Sequence, residues 1–222
     1  MVAFPDFTFE EKYWQDGYVV IGIDEVGRGC LAGPVTVGGV SIDSKNLLKN
    51  EWLQLGVNDS KKLSAKTREK LVPILMEKCM YSTASVNSEK INELGIVTCI
   101  KLAMSKVVQN IQLHFPSKQI ILLIDGLPIS HIPYINDIPR VSIIKGDGKS
   151  ISIAAASIIA KVERDLYMSS LSTEFPDYDW VTNKGYGTLK HRSAIQKHGI
   201  SPHHRTLYIR KILSNVARSH SL

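Results

Sequence analysis

Five stretches of this chain are runs of apolar and β-branched residues: Tyr18–Ile23, Val35–Ile42, Tyr81–Val86, Ile120–Ile124 and Val141–Ile144. Each predicts a strand, and the first reads as buried. Between and after them the spacing becomes helical. Ser64–Lys78 repeats with a helical period, and Ser64 is placed to cap it. From Ile96 to Leu113 the period puts Ile96, Ile100, Met104, Val107, Val108 and Ile111 on one face. A third helix is predicted over Ile151–Leu171 and a fourth near Arg205–Val216. The third contains Ala154-Ala155-Ala156-Ser157, small side chains that would let a helix approach a sheet closely or simply favour helix. Strands followed by helices alternating with strands predict an α/β layer architecture. No internal repeat or low-complexity linker divides the chain. Residues 1–179 read as the core, and 180–222 as a helical region packed on it as one structural unit.

Composition adds little until its distribution is considered. The 222 residues are 44% hydrophobic and 22% charged, ordinary for a soluble globular protein. No run approaches the roughly 18 apolar residues that span a bilayer, so no membrane partner is expected. Met1–Gln15 mixes Asp6, Glu10, Glu11 and Lys12 with aromatics, unlike a signal peptide. Three cysteines, Cys30, Cys79 and Cys99, form no CxxC pair, which fits a reducing compartment and a cytoplasmic location. The formal net charge is +6, yet from Trp180 to Leu222 there is no Asp or Glu. That stretch holds eight Lys or Arg and five of the seven histidines, leaving the remainder at a net −2. A basic block on a near-neutral body is the footprint of a polyanion binder, although such blocks are also found merely solvated.

The first strand leads straight into Asp24-Glu25, and then into Gly27-Arg28-Gly29. Carboxylates at a buried strand end are costly unless a cation or donors compensate them. Asp125 repeats the arrangement, closing the run Ile120–Ile124 before Gly126, and Asp147 follows Val141–Ile144 between Gly146 and Gly148. Strands ending at one edge would bring Asp24 and Asp125 together. Crowded carboxylates stay ionised together only beside positive charge. All-oxygen ligation favours Mg²⁺ or Mn²⁺ over zinc. Two such ions about 3.5–4 Å apart would clamp the attacking and leaving oxygens of a phosphodiester. Neighbouring strand residues face opposite sides, so Glu25 joins Asp24 only if the chain turns there. The glycines around Arg28 supply either a tight turn or a bare backbone. A paired amide and carbonyl on such a backbone would recognise a 2′-hydroxyl.

Three other patterns lack their context. Gly27-Arg28-Gly29-Cys30-Leu31-Ala32 matches a dinucleotide fingerprint, but Gly33–Val40 reads as a turn and a strand instead of the required helix. Gly148-Lys149-Ser150 resembles the end of a P-loop whose first glycine would fall on Ile143. His191, His198, His203 and His204 have no cysteine nearby and fit no zinc-finger spacing.

The chain closely resembles the ribonuclease HII (type 2 ribonuclease H) family. The resemblance rests on Ile21-Gly22-Ile23-Asp24-Glu25-Val26-Gly27-Arg28-Gly29, Leu31-Ala32-Gly33-Pro34-Val35, Asp59-Ser60-Lys61-Lys62-Leu63, Ile124-Asp125-Gly126 and Lys145-Gly146-Asp147. It continues through Ala155-Ala156-Ser157-Ile158-Ile159-Ala160-Lys161, Arg164-Asp165, Asn183-Lys184-Gly185-Tyr186-Gly187-Thr188 and His204-Arg205. It implies a ribonuclease H-like mixed sheet flanked by helices, with a C-terminal helical region. It also implies a metal-dependent endonuclease, using Mg²⁺ or Mn²⁺, that acts on the RNA strand of RNA–DNA hybrids; a monomer is expected. Such enzymes also cut 5′ of ribonucleotides embedded in duplex DNA, leaving a 3′-hydroxyl and a 5′-phosphate. By this resemblance Asp24, Glu25, Asp125 and Asp147 are metal-binding catalytic carboxylates. Gly27, Arg28 and Gly29 match the segment that reads the ribose, and Tyr186 the tyrosine that stacks at the RNA–DNA junction. Lys61, Lys184 and Arg205 are implied contacts to the nucleic-acid backbone. A non-catalytic hybrid-binding protein is the competing reading.

Overall fold

A computed structural model describes residues 4–45 and 47–210. Five strands form one mixed sheet in the order β3-β2-β1-β4-β5: β1 Val19–Val26, β2 Val35–Ser41, β3 Met80–Val86, β4 Ile120–Asp125 and β5 Arg140–Ile143. β1 runs antiparallel to β2 and parallel to β4, and β4 runs parallel to β5. All five apolar runs are therefore strands. The first is longer than its apolar stretch because β2 keeps pairing with it, Glu25 against Val37 and Val26 against Thr36.

The helices are α1 Thr8–Trp14, α2 Lys49–Gln54, α3 Ala65–Lys78, α4 Ser88–Leu94, α5 Ile96–Gln112, α6 Ile151–Glu174, α7 Trp180–Asn183 and α8 Leu189–His198. Ser64 caps α3 as its sequence predicts, its hydroxyl accepting from the Thr67 amide at 3.1 Å. The α5 stripe is buried at Ile100, Met104, Val107, Val108 and Ile111. The helix predicted at Arg205–Val216 is helical over 206–210, and its remainder lies outside the described residues. No helix among the described residues is long and apolar enough to cross a membrane.

Two compact units partition the chain. The first comprises Met1–Val26, Thr36–Ala84 and Ile100–Val162; the second comprises Gly27–Val35, Ser85–Cys99 and Glu163–Leu222. The second unit is thus assembled from three stretches instead of from 180–222 alone. In the first, α5 and α6 pack on opposite faces of the sheet at glycines. A Cβ at Gly39 would strike Val107, while one at Gly22 or Gly38 would strike Ser152 or the Ala156 carbonyl. Ala154-Ala155-Ala156 is what permits that approach on the α6 side, all three being fully buried. The second unit has its own apolar cluster around Met168, Leu171, Tyr178, Trp180, Ile195 and Ile209.

Candidate active site

Register puts the first two carboxylates together. Ile23 of β1 pairs with Ile124 of β4 in parallel, so Asp24 and Asp125 leave adjacent strands at the same level. Asp147 arrives differently from its prediction as a strand-end residue. It sits on a 3-10 turn, Gly146–Gly148, beyond the end of β5. Lys145 before that turn has a left-handed backbone, φ 57°. The Gly146 amide donates to Asp125 Oδ1 at 2.6 Å, tying that turn to the end of β4. Asp24, Asp125 and Asp147 each present a carboxylate oxygen within 4.8 Å of the other two.

Glu25 is not among the three whose oxygens lie within 4.8 Å of one another, and β1 runs on through it to Val26. The bend comes two residues later, at Gly27, whose φ of +86° lies in the left-handed region. Glu25 still acts on the cluster through its charge. Burial, with the charges of Glu25, Asp125 and Asp147, pushes the Asp24 carboxyl up to about 8, against a hydrogen bond from Ser157 that lowers it. Burial also raises Asp147, helped by Asp125 and Asp59 and opposed by Lys61. Three carboxylates this close are not jointly ionised without a cation among them. The oxygen-only donor set suits a hard divalent ion, so the residues present fit Mg²⁺ or Mn²⁺.

The cluster opens into a cleft of about 410 Å³ with Asp59, Asp125 and Asp147 among its acidic lining and Lys61, Lys62 and Lys145 among its basic lining. Asp59 caps the short turn Ser60–Lys62 by accepting from the Lys61 amide at 2.9 Å. Lys61 is largely exposed, its Nζ 3.5 Å from Asp147 Oδ2. Residue types alone assign Ser157 no role. Its hydroxyl bonds Asp24 and lies 2.9 Å from the Ser60 hydroxyl, linking α6 to the turn that carries Lys61. Its legible signal is position: it is the polar residue after the alanine run that faces the sheet.

The second unit holds the remaining candidates. Arg28 and Gly29 are exposed on the turn that begins at Gly27. A Cβ on Gly29 would meet nothing within 4 Å, whereas one on Gly27 would strike the Arg164 guanidinium. Neither the amide nor the carbonyl of Gly29 is bonded to another described residue. Two buried arginines shape this turn. Arg164 donates to the carbonyls of Pro34, Ala32 and Lys184, and Arg205 to those of Gly33 and Arg28.

This corrects the expectation that Arg205 reaches a phosphate backbone. It is fully buried, and its guanidinium is spent on carbonyls apart from Nη2, which has no partner. Lys184 is likewise engaged, its Nζ donating to Ser169 Oγ and the Asp165 carbonyl. The Tyr186 ring is partly exposed, with the Arg164 guanidinium carbon 5.7 Å from its centre. Arg164 therefore pairs with carbonyls and an aromatic face.

The family model described as ribonuclease HII matches residues 21–211. The chain belongs to the ribonuclease HII family. Its relative from Rickettsia canadensis, named ribonuclease HII, is 46% identical over 197 residues, covering 89% of this chain and 92% of that one. The ribonuclease HII of Archaeoglobus fulgidus, solved as a complex with PCNA, superposes with a TM-score of 0.72 at 28% identity, over 89% of this chain and 96% of that one. Bst ribonuclease HIII, solved with Mn²⁺, shares the fold at 21% identity with a TM-score of 0.70, over 91% of this chain and 71% of that one. Family membership makes this chain a nuclease of the ribonuclease H class. The mixed sheet flanked by helices is the ribonuclease H fold.

Proposed function

We propose that this chain is a divalent-metal-dependent endonuclease that hydrolyses the RNA strand of RNA–DNA hybrids. It also cuts on the 5′ side of ribonucleotides embedded in duplex DNA. The observation that carries the reading is the convergence of Asp24, Asp125 and Asp147 from two strands and a turn. Mg²⁺ or Mn²⁺ held by these carboxylates would supply Lewis-acid polarisation of the scissile phosphate and a more acidic water.

The chain's own residues do the rest. Asp24, Glu25, Asp125 and Asp147 hold the ions, Asp24, Asp125 and Asp147 having oxygens within 4.8 Å of one another. Lys61, on the exposed rim of the cleft, meets a phosphate. Arg28 meets the backbone beside the ribose, and the Gly27–Gly29 turn offers the Gly29 amide and carbonyl to a 2′-hydroxyl, which is both acceptor and donor. Tyr186, whose ring is partly exposed, stacks at the RNA–DNA junction. Water's oxygen bonds to phosphorus as the bond to the 3′ oxygen breaks, leaving a 3′-hydroxyl and a 5′-phosphate. The partners are hybrid or ribonucleotide-containing duplexes, the enzyme is a monomer, and the compartment is the cytoplasm.

The test is an end-labelled duplex carrying one ribonucleotide, incubated with and without Mn²⁺ or Mg²⁺. The reading expects a metal-dependent nick 5′ of the ribonucleotide. A duplex that is shifted in a gel yet never cut would instead identify a hybrid-binding protein.

A further inference from the structure

Glu10 belongs to no motif of the family resemblance, yet it is a fully buried carboxylate with a full set of donors on one oxygen. Its Oε1 accepts from Ser150 Oγ at 2.5 Å, Ser152 Oγ at 2.7 Å and the Ser152 amide at 2.9 Å. Its Oε2 has no partner. Burial raises the carboxyl, and the serine donors oppose that rise. The three donors lie at the start of the 24-residue helix α6, whose amino end favours a negative charge. The helix already has its own cap, the Ser150 hydroxyl accepting from the Ile153 amide at 3.3 Å, so capping does not require Glu10. The Glu10 acceptor comes from α1, so the bond joins distant parts of the chain at the expense of a buried charge.

What it joins is the surroundings of two cluster carboxylates. On one side, Lys149 and Ser150 donate their amides to the Gly146 carbonyl, each at 2.9 Å, closing the turn that presents Asp147. The same stretch is clasped by Asp6, whose amide donates to Lys149 O at 3.2 Å and whose carbonyl accepts from the Ile151 amide at 3.1 Å. On the other side, Ser152 lies against Gly22, two residues before Asp24 on the same face of β1, where any Cβ would collide with it. The Glu10 node thus stands where the Asp147 turn, the first turn of α6 and the Asp24 strand meet.

We propose that Glu10 is a positioning residue for the carboxylate pocket, locking the start of α6 against β1 and so fixing the separation of Asp24 and Asp147. The proposal rests on the pocket's reading as a divalent-ion site. A binding constellation must be held within about 0.5 Å of its productive geometry, so a loosened α6 start weakens ion binding without touching a ligand.

The test titrates metal-free protein with Mn²⁺ by calorimetry, comparing wild type with Glu10→Gln and Glu10→Ala. Met104→Ala, a core change on the α5 face, serves as a destabilised control. Glu10→Ala is expected to weaken Mn²⁺ binding about tenfold or more, the usual loss for a residue that orients ligands. Glu10→Gln loses less, because its amide oxygen still accepts from the Ser152 amide. Met104→Ala melts earlier with wild-type Mn²⁺ affinity. Unchanged affinity in folded Glu10→Ala, or an equal loss in Met104→Ala, overturns the proposal. Should Glu10→Ala not fold, Ser152→Ala removes one donor, and wild-type affinity in both Ser152→Ala and Glu10→Gln overturns it. A wild type that binds no Mn²⁺ overturns the ion-site reading instead.

Discussion

Gly146 donates its amide hydrogen to Asp125 Oδ1 at 2.6 Å, so one carboxylate of the cluster orients the turn that delivers another. Asp125→Asn keeps an oxygen able to accept that bond while removing the charge. Hybrid cleavage by Asp125→Asn is expected to fall by ~10²-fold or more, with hybrid binding and melting temperature near wild type. Steady-state nicking and a gel-shift titration on one preparation check this. Turnover near wild type would remove Asp125 from the catalytic set.

Asp24 opposes stability in metal-free protein. Its folded pKa is raised from 3.8 to about 8, so between these values the folded state holds a proton that the unfolded chain has released. Stability therefore falls as pH rises through this window. Asp24→Asn carries no such loss. In EDTA its melting temperature should exceed that of wild type by an amount that grows from pH 5 to pH 8, at about 2–4 °C per kcal/mol. Scanning calorimetry at four pH values decides it.

Burial lowers His191 and His204, two histidines of the second unit. His204 Nδ1 accepts from the Ser201 amide, so its Nε2 carries the hydrogen and donates to His191 Nε2 at 3.2 Å. His191 Nδ1 in turn donates to the Tyr186 carbonyl at 2.9 Å. Burial, and then His191, lower His204 from 6.5 to about 4. The folded state binds fewer protons here than the unfolded chain, so this contribution is full above pH 6.5 and is lost as pH falls towards 4. Each unit of depression is worth about 1.4 kcal/mol. His204→Gln should melt earlier than wild type at pH 7.5, and the gap should narrow at pH 5.

Arg205 and Lys61 should separate cleanly. Arg205→Ala strips donors from the Gly33 and Arg28 carbonyls and leaves a cavity, costing about 3 kcal/mol or more of stability. Lys61→Ala on the exposed rim should melt as wild type yet lower the salt slope of hybrid binding by about one. Thermal melts and binding at three salt concentrations check both.

Gly29→Ala adds a methyl group where nothing lies within 4 Å, so its fold and melting should match wild type. Its preference for a ribonucleotide over the matching deoxynucleotide duplex should fall at least about fivefold, because the methyl blocks approach to the backbone pair. Equal preference in both proteins would move ribose recognition elsewhere.

Much of this was legible in sequence because strand ends and register obey local rules. The apolar runs before Asp24 and Asp125 are strands, and their parallel pairing at Ile23 and Ile124 follows from their burial on both faces. The alanine run left close packing and plain helix propensity open, and Gly22 and Gly38 are its counterparts on the sheet. Partner-dependent features were hidden. Whether β1 stops at Ile23 or runs to Val26 depends on β2, which pairs with it as far as Val26. An arginine reads alike whether it meets phosphate or carbonyls, so the burial of Arg205 among the carbonyls of residues 28 and 33 had no local signal. Nor did Glu10, whose donors lie 140 residues further along the chain.

Mn²⁺ binding by equilibrium dialysis at pH 7.5 tests the central claim most directly, comparing wild type with the Asp24→Asn/Asp125→Asn double variant. Wild type should retain Mn²⁺ at micromolar-to-millimolar free concentrations, and the folded double variant should retain none above background. Equal retention by the two proteins would show that the ions are held elsewhere and contradict the carboxylate pocket.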